Sequence, residues 1–412
     1  MQRNWFAAIA LAAIVVATPG RASAQQVVAA DDFVDTVGVN IHLHYEGTAY
    51  RDNFPLIKKR LIELGVRHVR DGLVDTTWRP YYDRHNELGA AGIKGTFITS
   101  PQQATDVWTS YPARVAQSFE AFEGPNEYDQ SRDPNWARTL TQAMIRLRTI
   151  RNDPRVGHFP IYGPSLTTEG AYVALGDVSA YFDFANLHNY FAGRHPATRG
   201  WGANGYGSLA WHLRLSSRYA AGRPIVSTET GYQDGPSIID SVPQDVVGRY
   251  MPMLLLEQFR VGITRTFIYE LADFARSGSY GLLNSDGSPK PSFNAVRNLL
   301  GLFADPGPPF TPRDVRYTVA TSDVDLRHQA FQKRDGTYLI ALWLSRPVYD
   351  PATRARTTVA AQDVVVTLPA PLRHVRTHRW QADGAVAVTA ITPPAAASQV
   401  SLADSLVVME VR

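Results

Sequence analysis

The feature that most constrains this chain is a rhythm. Between Val37 and Glu270, short runs rich in β-branched and aromatic residues alternate with stretches whose apolar residues recur at helical spacing. The strand-like runs fall at 37–42, 66–70, 93–99, 118–123, 159–163, 182–188, 224–229 and 264–270. Among the helical stretches, Phe54, Ile57, Leu61 and Leu64 place their side chains on one face, and 135–150, 245–259 and 293–303 read the same way. Strand and helix in regular alternation give a parallel sheet covered by helices. Eight such units over roughly 250 residues match a closed (β/α)8 TIM barrel. An open, doubly wound sheet would carry a Gly-rich phosphate turn after its first strand. Here that position reads "HLHYEG".

The flanks of the barrel differ in composition. Arg3 precedes an apolar run from Trp5 to Ala17, Pro19 and Gly20 break it, and Ala22-Ser23-Ala24 forms a small-residue cleavage site. This predicts a signal peptide over residues 1–24 and an exported protein, periplasmic or secreted. Neither that run nor any later one reaches the roughly 20 apolar residues of a spanning helix, so no membrane span is expected. The barrel domain is expected over 25–303. The segment "ADPGPPFTPRD", 304–314, is dense in Pro and Gly and reads as a semi-rigid linker. Beyond it, alternating runs at 329–332, 338–344, 363–368, 375–380 and 405–411, with Asp335-Gly336 as a hairpin turn, predict a β-sandwich over 315–412. Net charge is +3 from 41 basic and 38 acidic residues, and loss of Arg3 and Arg21 with the signal leaves 39 against 38. No basic field remains to attract nucleic acid. Cysteine is absent, so the fold must be held by its core without disulfides or thiolate metal sites. A monomer is expected.

In such a barrel the chemistry belongs on the C-terminal strand ends and the loops after them. "FEGPNEYD" places Glu127 just past the fourth strand, and "PIVSTETGY" places Glu229 at the end of the seventh. Three steps apart around an eight-stranded ring, two long carboxylates reach toward each other across the mouth. Glycoside hydrolysis needs such a pair: one group protonates the leaving oxygen, and the other attacks or activates water. The donor must keep its proton where its partner is ionised, and two negative charges held close supply part of that difference. The competing reading makes both glutamates helix-cap or ion-pair residues in loops.

Asn-Glu after strand four, with Glu ending strand seven, resembles the clan A retaining glycoside hydrolases, of which families five and thirty-nine are examples. The resemblance implies Glu127 as general acid and base, Glu229 as nucleophile, and Asn126 as a hydrogen-bond partner of the sugar 2-hydroxyl. Arg70 ends strand two and "HNY" ends strand six, so Arg70, His188 and Tyr190 match supporting positions, with Tyr190 donating to Glu229. "GLLNSDGSPKPSFNAVRNLL" resembles the segment leading into the last barrel helix, and an appended sandwich is common in the clan. The likeness covers almost the whole mature chain. It departs where many family five enzymes carry a Trp ending strand eight and a His near the end of strand three; here stand "FIYELAD" and "FITSPQ". The implied reaction is double displacement at an equatorial bond, such as a β-glucosidic, β-xylosidic or α-L-arabinofuranosidic link, with no cofactor.

Several other residues are candidates around that pair. Glu270 is expected to bind substrate, to replace Glu229 as the partner of Glu127, or, beside Leu271 and Asp273, to serve the structure. Glu123 is expected to anchor the barrel through Arg67 or Arg70, and Glu169 to be a solvated first-turn residue. Aromatic residues crowd the same rim: Tyr45, Trp78, Trp108, Tyr128, Trp136, Tyr190, Phe191, Trp201, Tyr206, Tyr232 and Tyr280. Aromatic faces stack on sugar rings, with Trp201 and Tyr232 among the expected contacts, and several in a row favour endo action on a chain. Others are expected to be loop anchors. The long loop "YFAGRHPATRGWGANGYGS" is expected to form one wall of the cleft. A metal-dependent amidohydrolase is a rival, because His42 and His44 share one side of the first strand, near His188 and Asp273. Such enzymes also draw a ligand from strand five, where "FPIYGPSL" offers none and His158 lies at the wrong end. His42 and His44 then read as rim residues touching sugar, with no metal. A second rival is a glycan-binding barrel without chemistry, for which a close carboxylate pair has no use.

Overall fold

A computed structural model describes residues 27–235, 240–275, 278–315, 317–320, 323–368, 372, 374–392 and 397–412. The expected signal peptide, 1–24, lies outside the described residues. Eight parallel strands form one sheet: Val37–Asn40, His68–Gly72, Lys94–Ile98, Phe119–Glu123, Ile161–Tyr162, Ala185–His188, Ile225–Thr230 and Ile263–Ile268. The first pairs with the eighth through Val37 and Thr266. A parallel bridge between Tyr162 and Phe184 joins the fifth to the sixth, so the sheet closes into a barrel. The fifth strand is two residues long rather than the five expected, in a stretch where Pro160 and Pro164 lack the N–H a ladder needs.

The barrel interior is layered. Ala121, Tyr162, Val226 and Phe267 form a buried apolar layer. Gly38 makes room for it, since a Cβ there would stand 2.5 Å from the Phe267 ring. At the N-terminal end of the barrel His68 hydrogen-bonds Glu120 and Asp35. Two residues further along the same strand Arg70 opens the polar layer under the mouth. Outside, the helix Phe54–Leu64 buries the four apolar residues its spacing marked, and Gln244–Arg260 and Pro291–Phe303 pack against each other.

The C-terminal region is a two-sheet β-sandwich. One sheet runs in the order Val28–Ala29, Leu326–Gln332, Tyr338–Leu344, Val407–Val411, Val375–Trp380, Val386–Ile391. The other has Gln362–Thr367 between Thr318–Ala320 and Ala397–Leu402. Ile340, Leu342, Val364, Val366, Val400 and Met409 meet between them. The larger sheet turns its other face to the barrel, where Phe331 packs with Phe33, Phe259 and Phe303 at centroid distances of 4.9–5.7 Å. Here Trp343 Nε1 donates to Glu257 (2.9 Å) and Trp380 Nε1 to the Ala295 carbonyl (3.0 Å). The two domains thus share one continuous core. The Pro/Gly-rich segment has no regular structure but is strapped down, because Arg334 donates to the carbonyls of Gly307 and Pro308 and lies over Phe310. The sandwich also recruits Val28–Ala29, a strand that the expected barrel domain of 25–303 had included; it pairs parallel with Leu326–Gln332. Among the described residues no helix is long and apolar enough to cross a membrane.

Candidate active site

The mouth is built on Arg70, 1 % exposed in the middle of the second strand. Its guanidinium has five N–H donors, and each finds an acceptor. Nε and Nη2 bind both oxygens of Glu123 (2.7 and 2.8 Å), Nη1 binds Asn40 Oδ1 (2.8 Å) and Glu229 Oε1 (2.7 Å), and Nη2 also binds Asn126 Oδ1 (2.6 Å). Glu123 is completed by Asn186 Nδ2 (3.0 Å) and Thr228 Oγ1 (3.1 Å). A buried ion pair holds only when its remaining hydrogen-bonding capacity is met, as here. With all donors used and almost no exposure, Arg70 positions Glu229 and Asn126 and leaves no N–H for a substrate.

Glu229 sits on the seventh strand with both oxygens held, Oε1 by Arg70 and Oε2 by the Tyr190 hydroxyl (2.9 Å). Its neighbour Thr228 also points into the interior network, although successive strand residues normally face opposite ways. Register shifts against both neighbouring strands, beside His188 and between Ser227 and Thr230, account for this. Such bulges re-aim side chains. Glu127 lies in the loop after the fourth strand with φ 44°, a left-handed conformation that non-glycine residues adopt at a cost of about 1–2 kcal/mol. Its amide donates to the buried Ser165 hydroxyl (3.1 Å). His188 joins the two carboxylates: Nδ1 lies 2.7 Å from Glu127 Oε1 and 3.5 Å from Glu229 Oε2, while Nε2 meets Thr228 Oγ1 at 3.1 Å. One oxygen of each glutamate and a ring nitrogen of His188 all fall within 4.8 Å of one another.

The electrostatics follow from that contact. Burial disfavours the Glu229 carboxylate, but the charges of His188 and Arg70 and the hydrogen bonds from Arg70 and Tyr190 outweigh it and hold the group below its ordinary 4.5. Burial likewise disfavours a charged His188, yet Glu229 and Glu127 together lift it above its ordinary 6.5.

Asn126 has its Oδ1 on Arg70 and is exposed, so its NH2 faces the mouth with no protein partner among the described residues. His42 stacks on Tyr45 (4.5 Å), with Nε2 3.2 Å from Glu270 Oε2. Glu270 takes the structural one of its expected roles: it is fully buried and also bound by the Tyr50 hydroxyl. Tyr190, Trp201, Tyr206, Tyr232 and Tyr280 line a cavity of about 370 Å³ beside His188, with the long loop after strand six as one wall. Tyr45 and Tyr269 line another of about 610 Å³ by His44. Tyr280 stands 5.5 Å from Tyr190, which lines the first, and 5.5 Å from Tyr269, which lines the second. Other expected rim aromatics serve packing: Trp108 and Phe191 are buried, Trp136 packs on the core, and Trp78 lies under Arg51 and Arg84. Asn40, Asn186 and Thr228 were not singled out from sequence. Their only signal was polarity at the end of otherwise apolar barrel strands.

The histidines and aspartate of the amidohydrolase alternative are not brought together. His42 faces Glu270, His44 lies 3.5 Å from Asp71, and Asp273 pairs with Lys290. The Glu127–His188–Glu229 trio has metal-like spacing. His188 Nδ1, which lies between the two carboxylates, would have to be unprotonated to serve as a ligand there.

This architecture, a (β/α)8 barrel packed on a C-terminal β-sandwich, is the fold of the clan A glycoside hydrolases. No protein-family model and no curated protein matches the sequence. Among solved structures, a family 39 glycoside hydrolase from the gut symbiont Bacteroides cellulosilyticus WH2 is similar over 93% of this chain and 82% of its own, at 16% identity and a TM-score of 0.59. An endo-β-1,6-glucanase is similar over 94% and 93% at 14% identity and 0.50. The protein SrfJ from Salmonella typhimurium is similar over 95% and 91% at 8% identity and 0.51.

Proposed function

We propose that this protein is a retaining glycoside hydrolase that cleaves within a polysaccharide. The observation that carries the proposal is the closeness of Glu127 and Glu229, one oxygen of each lying within 4.8 Å of the other at the barrel mouth and both reaching the same His188 Nδ1. An inverting pair needs a carboxyl separation of roughly 6.5–9.5 Å to seat a water beside the sugar, whereas a retaining pair stands roughly 5–5.5 Å apart. Glu229, fixed at both oxygens and held ionised, attacks the anomeric carbon. Glu127, about one-third exposed and within hydrogen-bond distance of His188 Nδ1, protonates the departing oxygen. Water then enters, gives its proton to Glu127, and displaces Glu229 from the anomeric carbon with configuration kept. The NH2 of Asn126 donates to a hydroxyl of the bound sugar. The two aromatic-lined cavities seat sugar units on either side of the bond, which favours endo action, and by resemblance to the clan the bond is equatorial. Residues 1–24 direct export, leaving a monomer that begins at Gln25; N-terminal sequencing and gel filtration of the exported protein check both points.

Purified protein and its Glu127→Gln and Glu229→Gln variants are to be incubated with plant and bacterial polysaccharides, reading new reducing ends, product sizes and, by NMR, the first anomer formed. The parent is expected to release oligosaccharides of retained configuration, with each variant slower by roughly 10²–10⁴-fold and the parent unaffected by EDTA. Inverted product would overturn the mechanism. Tight binding with no release would point to a glycan-binding barrel.

A further inference from the structure

The loop after the sixth strand has a second cavity behind it. On one side Trp201 and Tyr206 wall the cleft; on the other, Arg199 and Gly205 face a hollow of about 380 Å³ where barrel meets sandwich. Arginines reach this hollow from separate segments: Arg199 from the loop, Arg214 from the helix Leu209–Tyr219, Arg260 from the end of Gln244–Arg260, and Arg327 from the sandwich strand Leu326–Gln332. The single carboxylate in the lining, Glu257, is already engaged, Oε1 by Trp343 and Oε2 by Arg260 (2.8 Å).

Of the other guanidiniums only Arg214 rests, among the described residues, on a neutral group alone; Arg327 stands at the long distance of 4.0 Å from the already engaged Glu257 Oε1. Arg214 donates to the Asn204 carbonyl, and Arg327 to the carbonyls of Val324 and Leu326. Arg199, 84 % exposed, stands 3.7 Å from Asp325, which Arg346 also holds. Like charges converging on one concavity repel unless an anion joins them, and the planar guanidinium fork fits a carboxylate. Leu213 adds an apolar patch beside them.

We propose that this seam cavity is a second binding site for a carboxylate-bearing saccharide, so that the glycan engaged by the protein is an acidic one. The carbohydrate reading of the cleft enters only in assigning the anion to a saccharide.

The test is calorimetric titration of the Glu229→Gln protein, in which slow turnover leaves the ligand intact. The probes are a β-1,4-linked glucuronate trimer, cellotriose (alike but for the carboxylates) and inorganic phosphate. The acidic trimer is expected to bind saturably and more weakly as salt rises. Adding Arg199→Gln with Arg214→Gln should weaken that binding about tenfold or more, leaving cellotriose binding and the melting temperature unchanged, since both side chains are exposed. Equal affinity for the two trimers, or undiminished binding by the arginine variant, would overturn the site. Phosphate displacing the trimer at equal concentration would overturn its assignment to a saccharide. Binding that persists when no polysaccharide is hydrolysed would remove the glycosidase reading and leave this site; hydrolysis without such binding would do the reverse.

Discussion

At the residue scale, Arg70 joins the fold to the chemistry, because one guanidinium neutralises Glu123 and fixes Glu229. Arg70→Met leaves two buried carboxylates without their cation and is expected to cost about 3–5 kcal/mol in denaturant unfolding. Arg70→Lys should recover part of that stability but little hydrolysis, since an ammonium cannot span the same acceptors. The pair Glu229 and His188 also sets a pH window. Glu229 is lowered on folding, so its contribution to stability is present above its ordinary 4.5 and is lost as pH falls through the folded value. His188 is raised, so its contribution is complete below its ordinary 6.5 and is lost as pH rises through the folded value. Both act fully between those limits. Since the charge of His188 is the leading influence that lowers Glu229, His188→Asn is expected to move the acid limb of kcat/KM to higher pH. An unmoved limb would show that Arg70 and Tyr190 hold the carboxylate ionised without His188.

At the element scale, the strand ends decide whether the pair meets. Gly231 follows the seventh strand, and a Cβ there would stand 2.4 Å from the Tyr269 carbonyl oxygen, on the chain just past the eighth. Gly231→Ala is therefore expected to push the two strand ends apart, costing about 1–3 kcal/mol. Hydrolysis should fall further than that loss explains, as kcat/KM measured beside the melting temperature would show. The barrel was legible in the sequence because its strands are buried on both faces and read as apolar runs, and counting them placed Glu127 and Glu229. The bulges around Glu229 were not legible, since "VSTET" offers no alternation to break. Nor were Val386–Ile391 and Ala397–Leu402. The first is largely exposed, and the second turns Ser398 inward beside Val400 and Leu402, so neither shows a clean apolar stripe. Asn40 and Asn186 escaped notice because a lone polar residue in a strand acquires meaning only from partners far away in the chain.

At the scale of the whole molecule, barrel and sandwich are one packed body. Trp343→Phe removes the indole donor from the buried Glu257 and is expected to lower stability by about 1–3 kcal/mol. Fluorescence and circular dichroism should still report one shared unfolding transition; two separate ones would show that the domains melt independently. The strand Val28–Ala29 carries this further. It pairs with a segment about 300 residues later, so a chain made from its N-terminus waits for nearly all of its length before this clasp can shut. The sandwich is thus not a detachable tail: the barrel is threaded between two pieces of it. A single protease nick within 304–314 should yield two fragments on a denaturing gel that still travel together, and still work, in native solution.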